Sequence, residues 1–312
     1  MRAKLSLLLV VMLLSLINGC IKDDNTPGSD VILEGLYISA IEVDNANLWV
    51  GTGGNGLFMF DGETWTGFTK EDGLICDTIT ALAISSNGTL WVGTSKGLSE
   101  YKDQEWTGYT ETEGLYNNDI RSLECDQANN IWIGTRNNRL VKFNGETFTT
   151  YHVNPEASGP GELGHIHTVT FDQDGDAWVG SCISGLSVYD GETWSDNVNN
   201  LTVFVMNSLA VPGGDIWIGT YSGLYRLSGD NWTAFNSTGG LLSNVITCLV
   251  SDNQDYIWIG TDSGLSMYDG YEWISFTTSN DLISNNVTAL GCDINGDIWV
   301  GSSAGLIKIN SN

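Results

Sequence analysis

Short runs of alternating apolar and polar residues fill the chain from about residue 33 onward, and turn-forming residues separate them. In one stretch, Ile79-Thr80-Ala81-Leu82 is followed by the turn Ser86-Asn87-Gly88 and then by residues 90–94. Alternation with a period of two predicts half-buried β-strands, and recurring Asp-Gly pairs such as Asp190-Gly191 favour hairpin turns. Since no apolar pattern of helical period lies between these strands, the sequence predicts an all-β protein.

One predicted strand, Ile131-Trp132-Ile133-Gly134-Thr135, has close copies throughout the chain, each with Gly two residues after Trp. The tryptophans are Trp49, Trp91, Trp132, Trp178, Trp217, Trp258 and Trp299, at spacings of 42, 41, 46, 39, 41 and 41 residues. A period near 41 residues without helices is typical of a β-propeller. Each repeat contains four predicted strands, here called a to d. We therefore predict a seven-bladed β-propeller of four-stranded antiparallel blades over residues 33–312.

The repeat also predicts how the blades pack. All twelve tryptophans fall in strand b or strand d, which favours a structural role between blades, and the Gly after each strand b Trp leaves room for the next blade. A small residue recurs at the third position of strand a, so we expect strand a to be innermost. The small residues are Ala40, Ala81, Ser122, Thr168, Ser208, Cys248 and Ala289. The residues before them are expected to ring the channel mouth: Ser39, Thr80, Arg121, His167, Asn207, Thr247 and Thr288.

The sequence allows two ways of closing the ring at the last blade. The seventh repeat has a strand c at Leu306 to Ile309 and no strand d after it. A segment upstream of Tyr37 could supply the missing strand and cover the open edge. The repeat register places that strand near residues 23–28, a poor strand sequence, so a three-stranded last blade is the other alternative.

The N-terminus is typical of an exported lipoprotein. Arg2 and Lys4 precede an apolar run that is too short to span a bilayer and ends at Cys20. The pattern predicts a signal peptide at residues 1–19, lipidation of Cys20 and a flexible tether at residues 20–32. An outer membrane lipoprotein exposed at the cell surface is expected, with the periplasmic face as an alternative. An ordinary secretory signal with an incidental Cys is the competing interpretation.

Charge argues against a nucleic acid partner, and cysteine content argues against a disulfide framework. The 312 residues include 38 acidic and 12 basic side chains, for a net charge of −26. Because binding to nucleic acid backbones depends on basic residues, no nucleic acid partner is expected. Five cysteines remain besides Cys20, an odd number that argues against a disulfide framework. No cofactor motif is found.

The strand b sequence, the Ser-Gly-Leu that follows it and linkers such as Gly240-Leu241-Leu242-Ser243-Asn244 resemble the two-component regulator propeller repeat. This resemblance covers nearly all of residues 33–312. It implies a sensor-type propeller of the kind found in extracytoplasmic regions of hybrid two-component proteins, which are associated with recognition of glycan fragments. No transmembrane helix, kinase or DNA-binding segment follows the repeats. The expected protein is therefore a recognition module on a lipid anchor, which meets the membrane only through that anchor.

Basic and aromatic residues gather around blades 3 and 4. In a propeller the b–c and d–a loops emerge on one face, so we expect them to meet at the channel mouth and bind a glycan fragment or other small anion, or a cell-envelope protein. Guanidinium groups clamp carboxylate or sulfate, and tyrosines stack on sugar rings. The candidate residues are Arg121, Arg136, Arg139, Tyr116, Tyr151, His152, His165 and His167. In the alternative interpretation, these arginines pair with surface carboxylates and bind nothing.

Catalytic and metal sites are less strongly indicated. His165 and His167 alternate on a strand and could take part in a metal site, but no fixed ligand spacing accompanies them. Asp172-Gln173-Asp174-Gly175-Asp176 resembles part of a calcium loop, although every repeat has its a–b turn there. The chain also resembles streptogramin-lyase-like propellers in its Gly-x-x-Trp repeats. A propeller lyase or hydrolase is therefore the alternative to a non-catalytic binding protein.

Overall fold

The computed structural model describes residues 32–44, 46–153, 164–182, 185–195, 198, 206–210 and 214–310, with backbone alone for 206–210. Seven antiparallel sheets follow one another along this part of the chain, six of four strands and the last of three. Six sheets have the strand order a-b-c-d and the last has a-b-c, with neighbours in sequence paired in space. The described residues contain no α-helix, and Ser237–Gly239 form a 3-10 turn. The predicted seven-bladed β-propeller is confirmed.

The strand bounds follow the repeat closely. Blades 1 and 2 consist of Ile38–Val43, Leu48–Thr52, Leu57–Phe60 and Trp65–Phe68, then Ile79–Ile84, Leu90–Thr94, Gly97–Lys102 and Glu105–Tyr109. Blades 3 and 4 consist of Ile120–Cys125, Ile131–Thr135, Arg139–Phe143 and Phe148–His152, then Ile166–Phe171, Ala177–Ser181, Gly185–Tyr189 and Trp194–Ser195. Blades 5 and 6 consist of Met206–Ala210, Ile216–Thr220, Gly223–Ser228 and Asn231–Phe235, then Ile246–Ser251, Ile257–Thr261, Gly264–Tyr268 and Trp273–Phe276. Blade 7 has Val287–Cys292, Ile298–Ser302 and Gly305–Ile309.

The strand b glycine lets adjacent blades approach closely. A Cβ added at Gly51 in blade 1 would lie 2.5 Å from Cγ2 of Ile79 in blade 2. The same relation closes the ring, because a Cβ at Gly301 in blade 7 would lie 2.5 Å from Cγ2 of Ile38 in blade 1. Ile38 and Ile79 are at most 1% exposed. A larger residue at either glycine would therefore force neighbouring blades apart.

Aromatic residues fill the wedges between blades, as predicted. The seven strand b tryptophans are 3–8% exposed. Strand d aromatics stack on the end of strand c, as Trp273 does on Tyr268 at a centroid distance of 4.6 Å. In blades 1, 3, 4, 6 and 7 the strand b indole N–H donates to an Asp of the a–b turn. Blade 2 has Ser85 at this position, and Nε1 of Trp91 is buried without a partner in the described residues.

Strand a lines the channel, as its small residues predict. The channel cavity has a volume of about 250 Å³. Six of its lining residues are the small residues of strand a, namely Ala40, Ala81, Ser122, Thr168, Cys248 and Ala289. The side chain of Ser208 lies outside the described residues.

The N-terminal segment caps the open edge of blade 7, but with a single bridge instead of a strand. The backbone N–H groups of Ile32 and Leu306 each donate to the carbonyl of the other at 2.8 Å, and Gly35 N–H donates to the Ala304 carbonyl at 2.9 Å. Leu33 is 2% exposed in the core between blades 7 and 1. Ile32, which the sequence assigns to the tether, thus takes part in closure. Residues 23–28, the signal peptide and Cys20 lie outside the described residues.

The five cysteines that the structure describes, Cys76, Cys125, Cys182, Cys248 and Cys292, are all free thiols. The odd number of cysteines argues against a disulfide framework, and no disulfide joins these five.

No helix within the described ranges has the length and hydropathy needed to span a bilayer.

Candidate ligand site at the channel mouth

A β-bulge near the start of strand a determines where the polar ring points. In blade 3 the ladder pairs Ile120 with Thr135 and then Ser122 with Gly134, so Arg121 has no paired residue on strand b. The extra residue of a bulge is turned out of the ladder, which re-aims its side chain. The other six blades have the same register shift at the corresponding residues. The polar residue of each strand a is therefore the bulged residue, and Arg121 lines the channel cavity.

One carboxylate holds two of the predicted arginines together. Nη2 of Arg121 lies 2.8 Å from Oδ2 of Asp119, and Nη1 of Arg136 lies 3.7 Å from the same oxygen. The backbone of Arg136 also donates to the Asp119 carbonyl at 3.3 Å. The side chains of Arg121 and Arg136 are 38% and 45% exposed, whereas that of Asp119 is 19% exposed. Two positive charges thus share one negative charge and remain accessible.

Two imidazoles adjoin these arginines at the start of blade 4. His165 forms a backbone bridge with Arg136, and the ring centroids of His165 and His167 lie 5.6 Å apart. Burial, Arg121 and Arg136 lower the pKa of His165, although Asp119 opposes them. Burial, His165 and Arg121 lower the pKa of His167 to about 4. Both rings are therefore neutral at pH 7.

His165 has an unused polar atom. Its Nδ1 is buried and has no hydrogen-bond partner in the described residues. Its backbone N–H donates to Sγ of Cys182 at 3.1 Å, which fixes the start of the strand. A buried polar atom without a partner is costly, so a ligand group that bonds to Nδ1 would relieve that cost.

A second basic group lies on the same b–c loop. Cζ of Arg139 is 5.3 Å from the ring centroid of Tyr116, which is a cation–π distance. His152 is the cross-strand partner of Arg139, and burial together with the Arg139 charge lowers the pKa of His152. Tyr116 is 41% exposed. These three residues adjoin the Arg136 loop and form an exposed aromatic and cationic surface.

Asn138 holds this loop rigidly against blade 4. It is 1% exposed, with a positive φ of 55°. Its side-chain amide donates to the Val153 carbonyl at 2.6 Å and accepts from the Ser181 hydroxyl at 2.6 Å. The sequence analysis missed both Asn138 and Asp119. A departure from the repeat marks this loop in the sequence. Strand c begins with Gly in blades 2, 4, 5, 6 and 7 but with Arg139 in blade 3.

Tyr151 is not part of this group. Its ring stacks on Trp132 at a centroid distance of 5.4 Å and an interplanar angle of 17°. It also contacts Tyr189 of blade 4 at 5.3 Å. Tyr151 therefore belongs to the aromatic layer between blades 3 and 4, and Trp132 occupies one face of its ring.

The structure also accounts for the calcium-like turn. Oδ1 of Asp172 accepts the backbone N–H groups of Asp174 and Asp176, and Oδ2 accepts the indole N–H of Trp178 at 2.8 Å. This carboxylate thus organises a turn and anchors a tryptophan. No group of three or more His, Cys, Asp or Glu suited to a metal ion occurs in the described part of the chain.

Four segments match the two component regulator propeller model. They are residues 73–96, 116–137, 240–263 and 281–304, and each runs from a d–a loop through strands a and b into the b–c turn. The matches fall in blades 2, 3, 6 and 7, and one of them contains Tyr116, Arg121 and Arg136. The comparison with curated protein sequences finds no match.

Solved structures share the propeller fold. The extracellular domain of a protein described as a hybrid two component system from B. thetaiotaomicron is 22% identical, with a TM-score of 0.74 over 90% of this chain and 40% of that one. PorZ, described as a surface component of the type-IX secretion system of Porphyromonas gingivalis, is 20% identical, with a TM-score of 0.71 over 87% of this chain and 46% of its own. A streptogramin B lyase is 12% identical, with a TM-score of 0.72 over 90% of this chain and 94% of the lyase. The chain thus spans less than half the length of the first two proteins.

Proposed function

We propose that this propeller is a non-catalytic recognition module that binds an acidic glycan or a similar anion at the mouth of its channel, between blades 3 and 4. The observation that carries the proposal is the pair of exposed guanidinium groups sharing the single Asp119 carboxylate. Nδ1 of His165, which has no hydrogen-bond partner among the described residues, lies beside them. A ligand carboxylate or sulfate would meet both a net positive charge and unused N–H donors.

The protein's overall acidity makes this site distinctive. With a net charge of −26, most of the surface repels anions. An anionic ligand would therefore be held only where positive charge is concentrated. Arg139 and Tyr116 extend the site outward, since an exposed aromatic ring beside a guanidinium suits a sugar ring that carries an acidic group. The ion pairs with Asp119 also orient the two arginines before a ligand arrives, which lowers the entropic cost of binding.

Sensing without catalysis is the function that the comparisons favour. Four repeats match the two component regulator propeller model, and the extracellular domain from B. thetaiotaomicron shares the fold. The lyase shares the fold as well, at only 12% identity. The residues around the arginines are suited to holding an anion.

We further propose that the module works at the bacterial cell surface, held by lipid on Cys20. The support is the N-terminal pattern of basic residues, a short apolar run and Cys20. A separate cell-envelope protein would then receive the binding signal or take up the glycan.

A glycan array carrying neutral, uronic acid and sulfated glycans tests the function. We expect the protein to be retained by acidic glycans, and we expect the double variant Arg121→Gln/Arg136→Gln to lose at least tenfold in affinity, since charge-assisted hydrogen bonds at two arginines are removed. Incubation of the retained glycans with the protein is expected to leave every glycosidic bond intact.

The matched control is Lys70→Gln/Lys102→Gln, which removes the same charge from exposed positions in blades 1 and 2. This variant should bind like the unchanged protein. Equal loss in both variants would reduce the effect to overall charge, and unchanged binding in the arginine variant would refute the site. Cleavage of a retained glycan would instead favour the lyase or hydrolase alternative.

A further inference from the structure

Three blades cover their strand b tryptophan with a cation from strand c. The cross-strand partners of Trp132, Trp217 and Trp299 are Lys142, Arg226 and Lys308 respectively. Their charged groups lie 5.0, 5.4 and 5.3 Å from the indole ring centroids. An Asp near the same ring completes each arrangement, as Asp126 does at 3.2 Å from Nζ of Lys142 and Asp293 at 3.3 Å from Nζ of Lys308. Indole, carboxylate and cation thus form a recurring unit of this fold.

Blade 1 has the indole and the carboxylate but not the cation. The indole N–H of Trp49 points to Oδ2 of Asp44 at 3.4 Å, and the cross-strand partner of Trp49 is Met59. A cavity of about 200 Å³ opens at this place, lined by Trp49, Met59 and Asp44 together with Tyr101 and Asp103 of blade 2. Its position corresponds to that of the bound cation in the other blades.

The comparison with blade 3 supports this correspondence. Tyr101 is the strand c tyrosine that contacts Trp49 at a centroid distance of 5.8 Å, as Tyr189 contacts Trp132 at 6.2 Å. Burial raises the pKa of Tyr189, and the Lys142 charge is near enough to oppose that rise. In the groove between blades 3 and 4, two grooves further along the ring, this protein therefore already holds an ammonium group at the equivalent place.

The cavity in blade 1 is also negatively charged. Burial disfavours ionisation of Asp44, but hydrogen bonds from Ala46, Asn47 and Trp49 outweigh it and lower the pKa of this carboxyl. Neither Asp44 nor Asp103 forms an ion pair within the described residues. Lys102 lines the rim and likewise forms no ion pair there. The groove thus offers an aromatic face and an uncompensated carboxylate.

We propose that this groove between blades 1 and 2 binds an alkylammonium group, such as the end of a lysine side chain, in the place that Lys142 and Lys308 occupy in their own blades. The ammonium would lie over the Trp49 ring and pair with Asp44, while its methylene groups contact Met59 and Tyr101. The site is separate from the anion site at the channel mouth and does not depend on it.

Titration of the full chain, labelled with ¹⁵N at its tryptophan indoles, tests the proposal. The probes are n-butylammonium and Nα-acetyl-lysine methylamide, at physiological ionic strength to suppress unspecific attraction. We expect the Trp49 indole signal to shift saturably with both probes and to stay unchanged with the Nε-acetylated lysine derivative, which lacks the charge. Tighter binding of the lysine derivative would identify a peptide as the source of the group, and equal binding would identify a free amine.

Met59→Lys is the decisive variant, because it supplies the cation that blades 3 and 7 already have. It should weaken probe binding at least tenfold while the melting temperature is maintained. Met267→Lys is its control, since Met267 is the cross-strand partner of Trp258 in blade 6 and should leave the Trp49 shift unaffected. If Met59→Lys does not fold, Asp44→Asn should give the same tenfold loss. A Trp49 signal that never moves, or that moves equally in the Met59→Lys or Asp44→Asn variant, would overturn the proposal.

Discussion

Replacing Glu42 by Gln is expected to stabilise the protein at pH 8 by about 2–4 kcal/mol and to change its stability little at pH 4. Burial, the Glu124 charge and the Asp44 charge raise the pKa of Glu42 from 4.5 to about 8. Burial raises the pKa of Glu124 to about 7. The two residues hold the same position in strand a of blades 1 and 3, and blade 2 has the small Ala83 between them.

The sign of the effect follows from proton binding. Below about pH 4.5 Glu42 is protonated in both the folded and the unfolded chain, so it makes no difference to stability. As the pH rises towards 8, the unfolded chain loses this proton while the folded chain retains it, so the free energy of unfolding falls. Glutamine cannot ionise and avoids that loss.

Urea denaturation of the unchanged protein and of Glu42→Gln at pH 4 and pH 8 measures this difference. Glu105→Gln, at an exposed position of blade 2, is the control and should behave like the unchanged protein at both pH values. A Glu42→Gln variant that gains nothing at pH 8 would show that the folded protein tolerates the ionised carboxylate.

Leu33→Ala is expected to lower the free energy of unfolding by about 2–4 kcal/mol. Leu33 is 2% exposed and packs into the core between the last and first blades. Its segment also supplies the hydrogen bonds from Ile32 to Leu306 at 2.8 Å. Truncating Leu33 would leave a cavity in the core between blades 7 and 1, beside the backbone bridge that this segment forms with blade 7.

Glu34→Ala provides the matched control, because Glu34 is exposed in the same turn. It should change stability by less than about 0.5 kcal/mol. Thermal unfolding and hydrogen exchange at the Leu306 amide would measure both variants. If Leu33→Ala unfolds like Glu34→Ala, the N-terminal segment contributes nothing to closure.

The repeat could be predicted from sequence because packing between blades imposes the same requirement seven times. Gly51 must leave space for Ile79, and Trp49 must fill the wedge beside it, so residue types recur at fixed spacing. Closure could not be predicted in the same way. Ile32 belongs to no repeat and contributes a single bridge, so its register could not be inferred from the other blades.

The candidate site was predictable only in part. Arg121, Arg136, His165 and His167 come together because bulges and loops of blades 3 and 4 share one face. Asp119 was missed because a single Asp in an acidic chain carries no signal until its two partners are located. The pattern could not separate Tyr151 from Tyr116, since which tyrosine packs between blades depends on the ladder register.

NMR titration of the protein's three histidines tests anion binding at the channel mouth. The titrants are an acidic glycan retained on the array and its carboxyl-reduced counterpart. An anion at the channel mouth would offset the Arg121 and Arg136 charges that, after burial, lower the pKa of His165. We therefore predict that the acidic glycan shifts the His165 and His167 signals and raises the pKa of His165, whereas the reduced glycan does neither. Histidine signals that stay unchanged while the acidic glycan is bound would show that the glycan does not bind beside His165 and His167.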